Sequence, residues 1–397
     1  MTALIEHPYL LVFLAWIGVA LAACLCVAHF QSQLGPPPHI EHEPKAVILL
    51  PIRGLPLNFD ALWQGLCEQT YRNVRIVFAV ENASDPIYPV LRSLTVGPPT
   101  EIVIAGPTDR CAQKVRNLVA ALKTLQPDDQ VIVFADADIV PRSDWLVRLI
   151  APLANPGITI ASGYRWMVPA DSRWSTAFIC VGNASVATLP RWRYWNIVWG
   201  GSAAIRRADF DALEIGEYWD DAVADDGPLT TAIRLSGGLI HSPEGALVIS
   251  PVSYSWSDGI AFARRQYTFL RWSAPRHWAL SAFSHTVPIV GWTVALPLAW
   301  AGSSAAIATI TLTYGLDMLR GFLRLRVPHK LWNMRPPGHI VLLDLFATPA
   351  WVFLHAAVIW STLFKRSVTW AGRTYRVRSW PRVRSMTIAE QAPTARR

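Results

Sequence analysis

Asp136 and Asp138 close the apolar run "VIVFADADIV" of residues 131–140 and leave two carboxylates separated by one alanine where a buried-looking strand ends. Aspartate is common where strands give way to turns, yet it seldom stays buried unpaired. Two neighbouring carboxylates also suit a divalent cation, which takes hard oxygen ligands and in turn holds phosphates. Lys114 in "CAQKVRNL" opens a helix. It could meet a phosphate as a point charge beside the helix N-terminus, or simply be a solvated lysine. Asp225 and Asp226 in "ADDGPLTTAIRLSGG" begin another helix. There a carboxylate either caps the helix or serves as a general base that takes a proton from an acceptor hydroxyl. In "RRQYTFLRW", Arg271 could clamp a phosphate and Trp272 stack on a sugar or close a pocket; both residues also suit a membrane interface. Each feature has a bland alternative, and what raises them is their presence together in one chain.

The elements that must position these residues are legible as an alternation. "AVILLP" (46–51), "VRIVFAV" (74–80), "EIVIAG" (101–106) and "VIVFAD" (131–136) read as strands, with helices near 58–69, 86–95, 111–125 and 143–154. Near-continuous apolar strands alternating with helices predict a mostly parallel sheet covered on both faces. Ligands of such sheets sit at the carboxyl ends of the strands, which is where Asp136 and Asp138 fall.

The 397 residues hold 52% hydrophobic residues and 19 Trp, too oily for an ordinary soluble enzyme. Residues 9–30 carry no formal charge and are long enough to cross a bilayer core. The preceding residues contain no Lys or Arg and no small-residue cleavage site follows, which favours an anchor over a signal peptide. Cys24, Cys26, Cys67, Cys111 and Cys180 show neither zinc spacing nor a disulfide framework. The net charge of +8 is concentrated in 320–335 and 365–384, beside apolar segments. Positive-inside retention and anionic headgroups explain those runs better than nucleic acid does. The expected organisation is an anchor (1–31), a Pro-rich linker (32–45), a catalytic domain (46–256), an interfacial amphipathic helix (257–284), C-terminal membrane helices (285–364) and a basic cytoplasmic tail (365–397). Within the membrane part, 286–316 is long enough for two short spans. Residues 339–364 contain Asp344, Pro349 and His355 and are expected to re-enter the membrane or lie along it without crossing.

The order of motifs resembles the ceramide glucosyltransferases and their bacterial relatives, a membrane-bound branch of the family 2 glycosyltransferases. The resemblance runs from about residue 46 to 380 and is carried by "ILLPIRG", "FAVENASDP", "QKVRNL", "FADAD", "GGSAAIRR", "ADDGPLTTAI", "FLRW" and "TWAGRTYRVR". It implies an α/β fold of the GT-A type, Rossmann-like with a mostly parallel sheet, with N-terminal and C-terminal membrane helices. It places Glu81 and Asn82 at the nucleotide-contacting acidic position and Lys114 at the diphosphate. Asp136 and Asp138 take the metal site for Mg2+ or Mn2+, with Asp136 also contacting the nucleotide sugar. Asp226 takes the base position, and Arg271 and Trp272 end a Gln/Arg-x-x-Arg-Trp motif. Asn82 stands where the family has its first aspartate, and Thr268 where the last motif opens with Gln or Arg; Gln266 lies two residues earlier. The implied reaction is inverting transfer of a hexose, glucose foremost, from a UDP-sugar to the hydroxyl of a membrane lipid such as ceramide. The alternatives are a synthase acting on a hopanoid-like lipid or a polysaccharide, and an inactive nucleotide-sugar-binding membrane protein. The implied setting is a bacterial inner membrane, with the catalytic domain in the cytoplasm and no nucleic-acid partner.

Overall fold

The structure is a computed structural model that describes residues 9–379 and 382–388. The first eight residues and the tail beyond Ile388 lie outside the described residues. The elements follow in chain order as α1 (Tyr9–Ser32), β1 (Ala46–Pro51), α2 (Phe59–Cys67), β2 (Val74–Val80), α3 (Tyr88–Arg92), β3 (Thr100–Ile104), α4 (Gln113–Leu122), β4 (Val131–Ala135) and α5 (Trp145–Ile150). Next come β5 (Ile160–Ser162), β6 (Tyr164–Pro169), α6 (Trp174–Ala187), β7 (Ser202–Arg206), α7 (Arg207–Ala212), α8 (Ile215–Trp219), α9 (Asp226–Leu235), β8 (Ile240–His241) and β9 (Leu247–Val252). The chain ends with α10 (Trp256–Ser273), α11 (Pro275–Trp300), α12 (Ser304–Trp332), α13 (Gly338–Phe346), α14 (Thr348–Trp360), β10 (Ser367–Trp370), β11 (Arg373–Ser379) and β12 (Arg382–Ile388).

These elements form two compact units. The sheet unit gathers Gly35–Trp166, Arg191–Pro251 and the chain from Lys365 onward, and the helical unit holds the rest. In the sheet unit seven strands lie in the order β3-β2-β1-β4-β7-β5-β8. The first four are parallel neighbours, and β7 runs antiparallel to both β4 and β5. The mostly parallel α/β sheet expected from the sequence is therefore what the chain forms. Every residue of β1, β2 and β4 is buried, as strands covered on both faces should be. Strands β10, β11 and β12 form a separate antiparallel sheet in the same unit.

One polar group sits inside this apolar frame. Arg75, in β2, donates to Asp129 at 2.5 and 3.0 Å and to the Thr124 carbonyl at 2.9 Å. It thereby ties the stretch after α4 to the start of β4. The hydrogen bonds that Asp129 accepts hold the guanidinium above its ordinary range, against the opposing effect of burial.

In the helical unit, α10 begins at Ser255, whose hydroxyl caps the helix by accepting from the Asp258 amide. It stops where Pro275 opens α11, because proline has no amide to continue a ladder and suits a first turn. Among the described residues two helices, α1 and α11, are long and apolar enough to cross a membrane, and α13 with α14 would be a third only if that pair, bent by 84°, counts as one span. The bend falls where Thr348 and Pro349 restart the helix. The basic run at 320–335 differs from a simple surface patch. Arg324 makes a buried two-pronged ion pair with Asp344, Arg320 pairs with Asp317 at 3.1 Å, and both guanidiniums stack on Trp351. Asp344, costly in a membrane segment when alone, is thus neutralised by a partner invisible in local sequence.

Because Asp129 is the main partner of a buried guanidinium, Asp129→Ala should destabilise the sheet unit by about 3–5 kcal/mol. Arg75→Met combined with Asp129→Leu should lose far less. Thermal unfolding of the detergent-purified protein checks this, and equal losses for the single and double variants would contradict it.

Candidate active site

The carboxyl end of β4 is shaped by its neighbour β7. Ala135 pairs with Ser202, and the Asp136 amide donates to the Gly201 carbonyl at 3.2 Å. The two residues before β7 are glycines for a steric reason. A Cβ on Gly201 would lie 2.4 Å from Asp136 Oδ2, and one on Gly200 only 1.8 Å from Asp225 Oδ2. "GGS" is therefore the surface against which both carboxylates pack, and no larger residue leaves them room.

Lys114 joins these carboxylates. It lies in the first turn of α4, and its Nζ is 2.7 Å from Asp136 Oδ1 and 3.0 Å from Asp225 Oδ1. Burial alone would lower the ammonium's pKa, but the two carboxylates outweigh it and raise the group above its ordinary range. The helix carrying Lys114 is fixed by its own polar residues. Gln113 donates to the Gly106 carbonyl and Asn117 at 2.9 Å each, Asn117 donates to the Ala79 carbonyl at 2.9 Å, and Arg116 donates to the Ala105 carbonyl at 2.9 Å. These bonds clip α4 to the ends of β2 and β3. Sequence reading singled out Lys114 and missed the three residues that aim it. A polar cluster inside "QKVRN" on a helix with a buried face was the available signal.

The two aspartates at the start of α9 part company. Asp225 occupies the cap position but makes no side-chain cap bond; it turns to Lys114 instead, and its Oδ2 is buried without a hydrogen-bond partner. Asp226 accepts from the Gly227 amide at 2.7 Å. Loss of hydration first, and then the charge of Asp225, push its carboxyl up to about 7, with Lys114 opposing. A carboxyl titrating there can exchange a proton near neutrality.

Asp138 reaches the surface at the rim. The surrounding chain and then the Asp136 charge raise its carboxyl, while Arg165 pulls the other way. Arg165 also stacks over Trp199 at 5.5 Å; nothing in "SGYRWM" marked it. Among the described residues no group of three or more His, Cys, Asp or Glu could hold a metal by itself. What Asp136 and Asp138 offer is two hard oxygen donors and a like-charge repulsion that a cation would relieve. That fits Mg2+ or Mn2+ completing its shell with phosphate and water.

The remaining expected residues are placed as follows. Glu81, one residue past β2, meets Arg373 at 3.3 Å. The Asn82 side-chain oxygen accepts from the Ser84 amide at 3.0 Å and its hydroxyl at 2.6 Å, so Asn82 closes a turn. Arg271 and Trp272 lie in the last turn of α10 in the helical unit. Thr268, on the same helix, turns its hydroxyl back to the Arg264 carbonyl at 2.7 Å. The structure thus brings Lys114, Asp136 and Asp225 into direct contact, with Asp226 and Asp138 coupled to them by charge.

No curated protein matches the chain in sequence. Among solved structures it is similar to a mannosyltransferase from Pyrobaculum calidifontis determined with GDP-Man and Mn2+, at 18% identity and a TM-score of 0.47, covering 89% of this chain and 98% of the other. It is also similar to glucosyl-3-phosphoglycerate synthase from Mycobacterium tuberculosis determined with Mn2+ and UDP-glucose, at 14% identity and a TM-score of 0.36, covering 62% and 82%. The family description that matches, "Glycosyl transferase family 21", spans residues 10–383, nearly the whole length. The chain therefore belongs to glycosyltransferase family 21 and is a glycosyltransferase.

Proposed function

We propose that this glycosyltransferase transfers a hexose, glucose foremost, from a UDP-sugar to the hydroxyl of a membrane lipid of the ceramide type, with inversion at the anomeric carbon. The observation that carries the reading is Asp226, a carboxyl raised to about 7 beside the Asp225–Lys114–Asp136 chain of charges. Ionised Asp226 takes the proton of the acceptor hydroxyl. That oxygen then bonds to the anomeric carbon from the face opposite the departing diphosphate, and UDP leaves. Two of the three Lys114 donors are taken by Asp136 and Asp225, and the third is the one to meet a phosphate oxygen. Asp136 and Asp138 would hold the cation, which when bound neutralises charge on the leaving diphosphate. Glu81 is assigned to the nucleotide, with Asn82 holding its loop; Arg271 and Trp272 are assigned to the acceptor side. The lipid acceptor is supported by the family and by the long apolar helices.

The orientation follows the same reading. UDP-sugars are cytoplasmic, so the sheet unit faces the cytoplasm and α1 puts the N-terminus outside. Residues from Lys365 onward group with the sheet unit, which supports a reading in which the intervening helical segment crosses an even number of times. Helix α11 is read as the outward crossing and the apolar first part of α12, before Asp317, as the return, although α12 as a whole is less apolar than α1 and α11; the bent α13–α14 pair is read as re-entering without crossing. This reading keeps the arginines at 365–384 inside, as the distribution of basic loops in membrane proteins requires.

Asp226→Asn should lower turnover by about two to four orders of magnitude, the scale of a lost general base, while UDP binding persists. The wild-type rate should rise with pH through about 7. A carboxyl raised on folding favours the protonated native state, so its contribution to stability falls as pH climbs from the unfolded value near 4 to about 7. Asp226→Asn should consequently melt no lower than wild type at pH 8; near-normal turnover would refute the assignment. Excess chelator should abolish activity and Mg2+ or Mn2+ restore it, and Asp138→Ala should weaken UDP binding only when metal is present. Full activity in chelator would reduce the pair to a strand-end turn. For topology, a cysteine at Thr387 in a cysteine-free background should resist an impermeant reagent applied to intact cells, and labelling from outside would reverse the orientation.

A further inference from the structure

The sheet formed by β10, β11 and β12 is far from the catalytic residues in sequence but belongs to the same unit. Its first two strands pair Trp370 with Arg373 across the two-residue turn Ala371–Gly372, and both turn residues have positive φ, 50° and 76°. That is the tight hairpin geometry whose twist matches the strands it joins, so the position of Arg373 is closely set. Arg373 and Tyr375, two apart on β11, are both buried, as residues on one face of a strand are. The Arg373 guanidinium then reaches three separate places. It donates to Glu81 at 3.3 Å, to the Thr108 carbonyl at 3.2 Å and to Gln113 Oε1 at 3.3 Å. Arg53, in the loop after β1, donates back to the Ala371 carbonyl at 3.3 Å. One planar, permanently charged fork thus joins the end of β2, the β3–α4 loop and the residue beside Lys114. A lysine, with one compact ammonium, could not span them equally.

We propose that Arg373 is a positioning residue of the donor site. It fixes the Glu81 carboxylate relative to the first turn of α4, and so sets the spacing between the nucleotide contact and Lys114. This rests on the assignment of Glu81 and Lys114 to the donor given above. Arg373 acts through Glu81 on the binding of the nucleotide, so it governs donor affinity and leaves the proton transfer at Asp226 alone.

The test is calorimetry of UDP binding, with Mn2+ present, to the full-length protein in detergent, alongside donor kinetics. Arg373→Ala should weaken UDP binding about tenfold or more and raise the donor KM in step, with kcat at saturating donor within about threefold, because small misplacements of a binding group are costly. Arg373→Lys, which keeps the charge and most of the buried volume, should fall between; it serves as the decisive variant if Arg373→Ala does not fold. Combined with Glu81→Gln, Arg373→Ala should lose little beyond the worse single variant, since the two act as one unit. Either Arg373 variant binding UDP within twofold of wild type, or losses that simply add, would overturn the proposal. A wild-type protein that binds no UDP would remove the donor reading and this role together. Wild-type binding with an indifferent Arg373 would remove this role alone.

Discussion

Lys114 places a positive charge where α4, the end of β4 and the start of α9 converge, and the neighbouring geometry answers to it. Without that ammonium, Asp136 and Asp225 would be two carboxylates in a crowded space with nothing to balance them, a costly arrangement in a medium less polar than water. With it, α9 can begin on two adjacent acids although one of them does no capping. The requirement reaches backward as well. The helix must present Lys114 at a fixed height, so Gln113, Arg116 and Asn117 spend their side chains on strand-end carbonyls. The loop before β7 must be two glycines wide because any side chain there would occupy the carboxylates' space.

The site is held together against its own stability. Asp225 keeps an oxygen buried and unpartnered, and Asp226 is raised well above its ordinary range. Strain of this kind is expected where chemistry is done, since a carboxylate comfortable in its surroundings makes a poor proton acceptor. The apolar strands beneath supply the compensation. Their side chains are buried along the whole length of β1, β2 and β4, so the frame can tolerate a few groups that would each favour solvent.

Much of this was legible in the sequence. The four leading strands were visible because each is an uninterrupted apolar run between turn residues, and Asp136 and Asp138 stood out because they interrupt one. The acid pair of "ADDG" and the lysine of "QKVRNL" were visible as charges at helix starts. That Lys114 bridges Asp136 and Asp225 was not, because the three are 22 and 89 or more residues apart and only the crossover topology brings them together. Similarly, Arg320 and Arg324 read as part of a basic run because their acids, Asp317 and Asp344, lie outside the counted window. Arg324 and Asp344 pair across helices, which leaves no local periodicity to find, whereas Asp317 and Arg320 are an i, i+3 pair on one helix that the window's edge cuts apart. The C-terminal strands read as a basic tail because the partners of Arg373, namely Glu81, Thr108 and Gln113, all lie more than 250 residues earlier.

The sheet unit is assembled from three stretches of chain, interrupted once by Met167–Pro190 and again by Val252–Phe364. Its last stretch leaves the ribosome only after every apolar helix has been made. A nascent chain can therefore form most of the central sheet early, yet Glu81 and the β3–α4 loop lack their Arg373 partner until the final hairpin emerges. Synthesis itself imposes an order of events, in which α1 and α10 to α14 are made before Arg373 is available to hold Glu81 and the β3–α4 loop together.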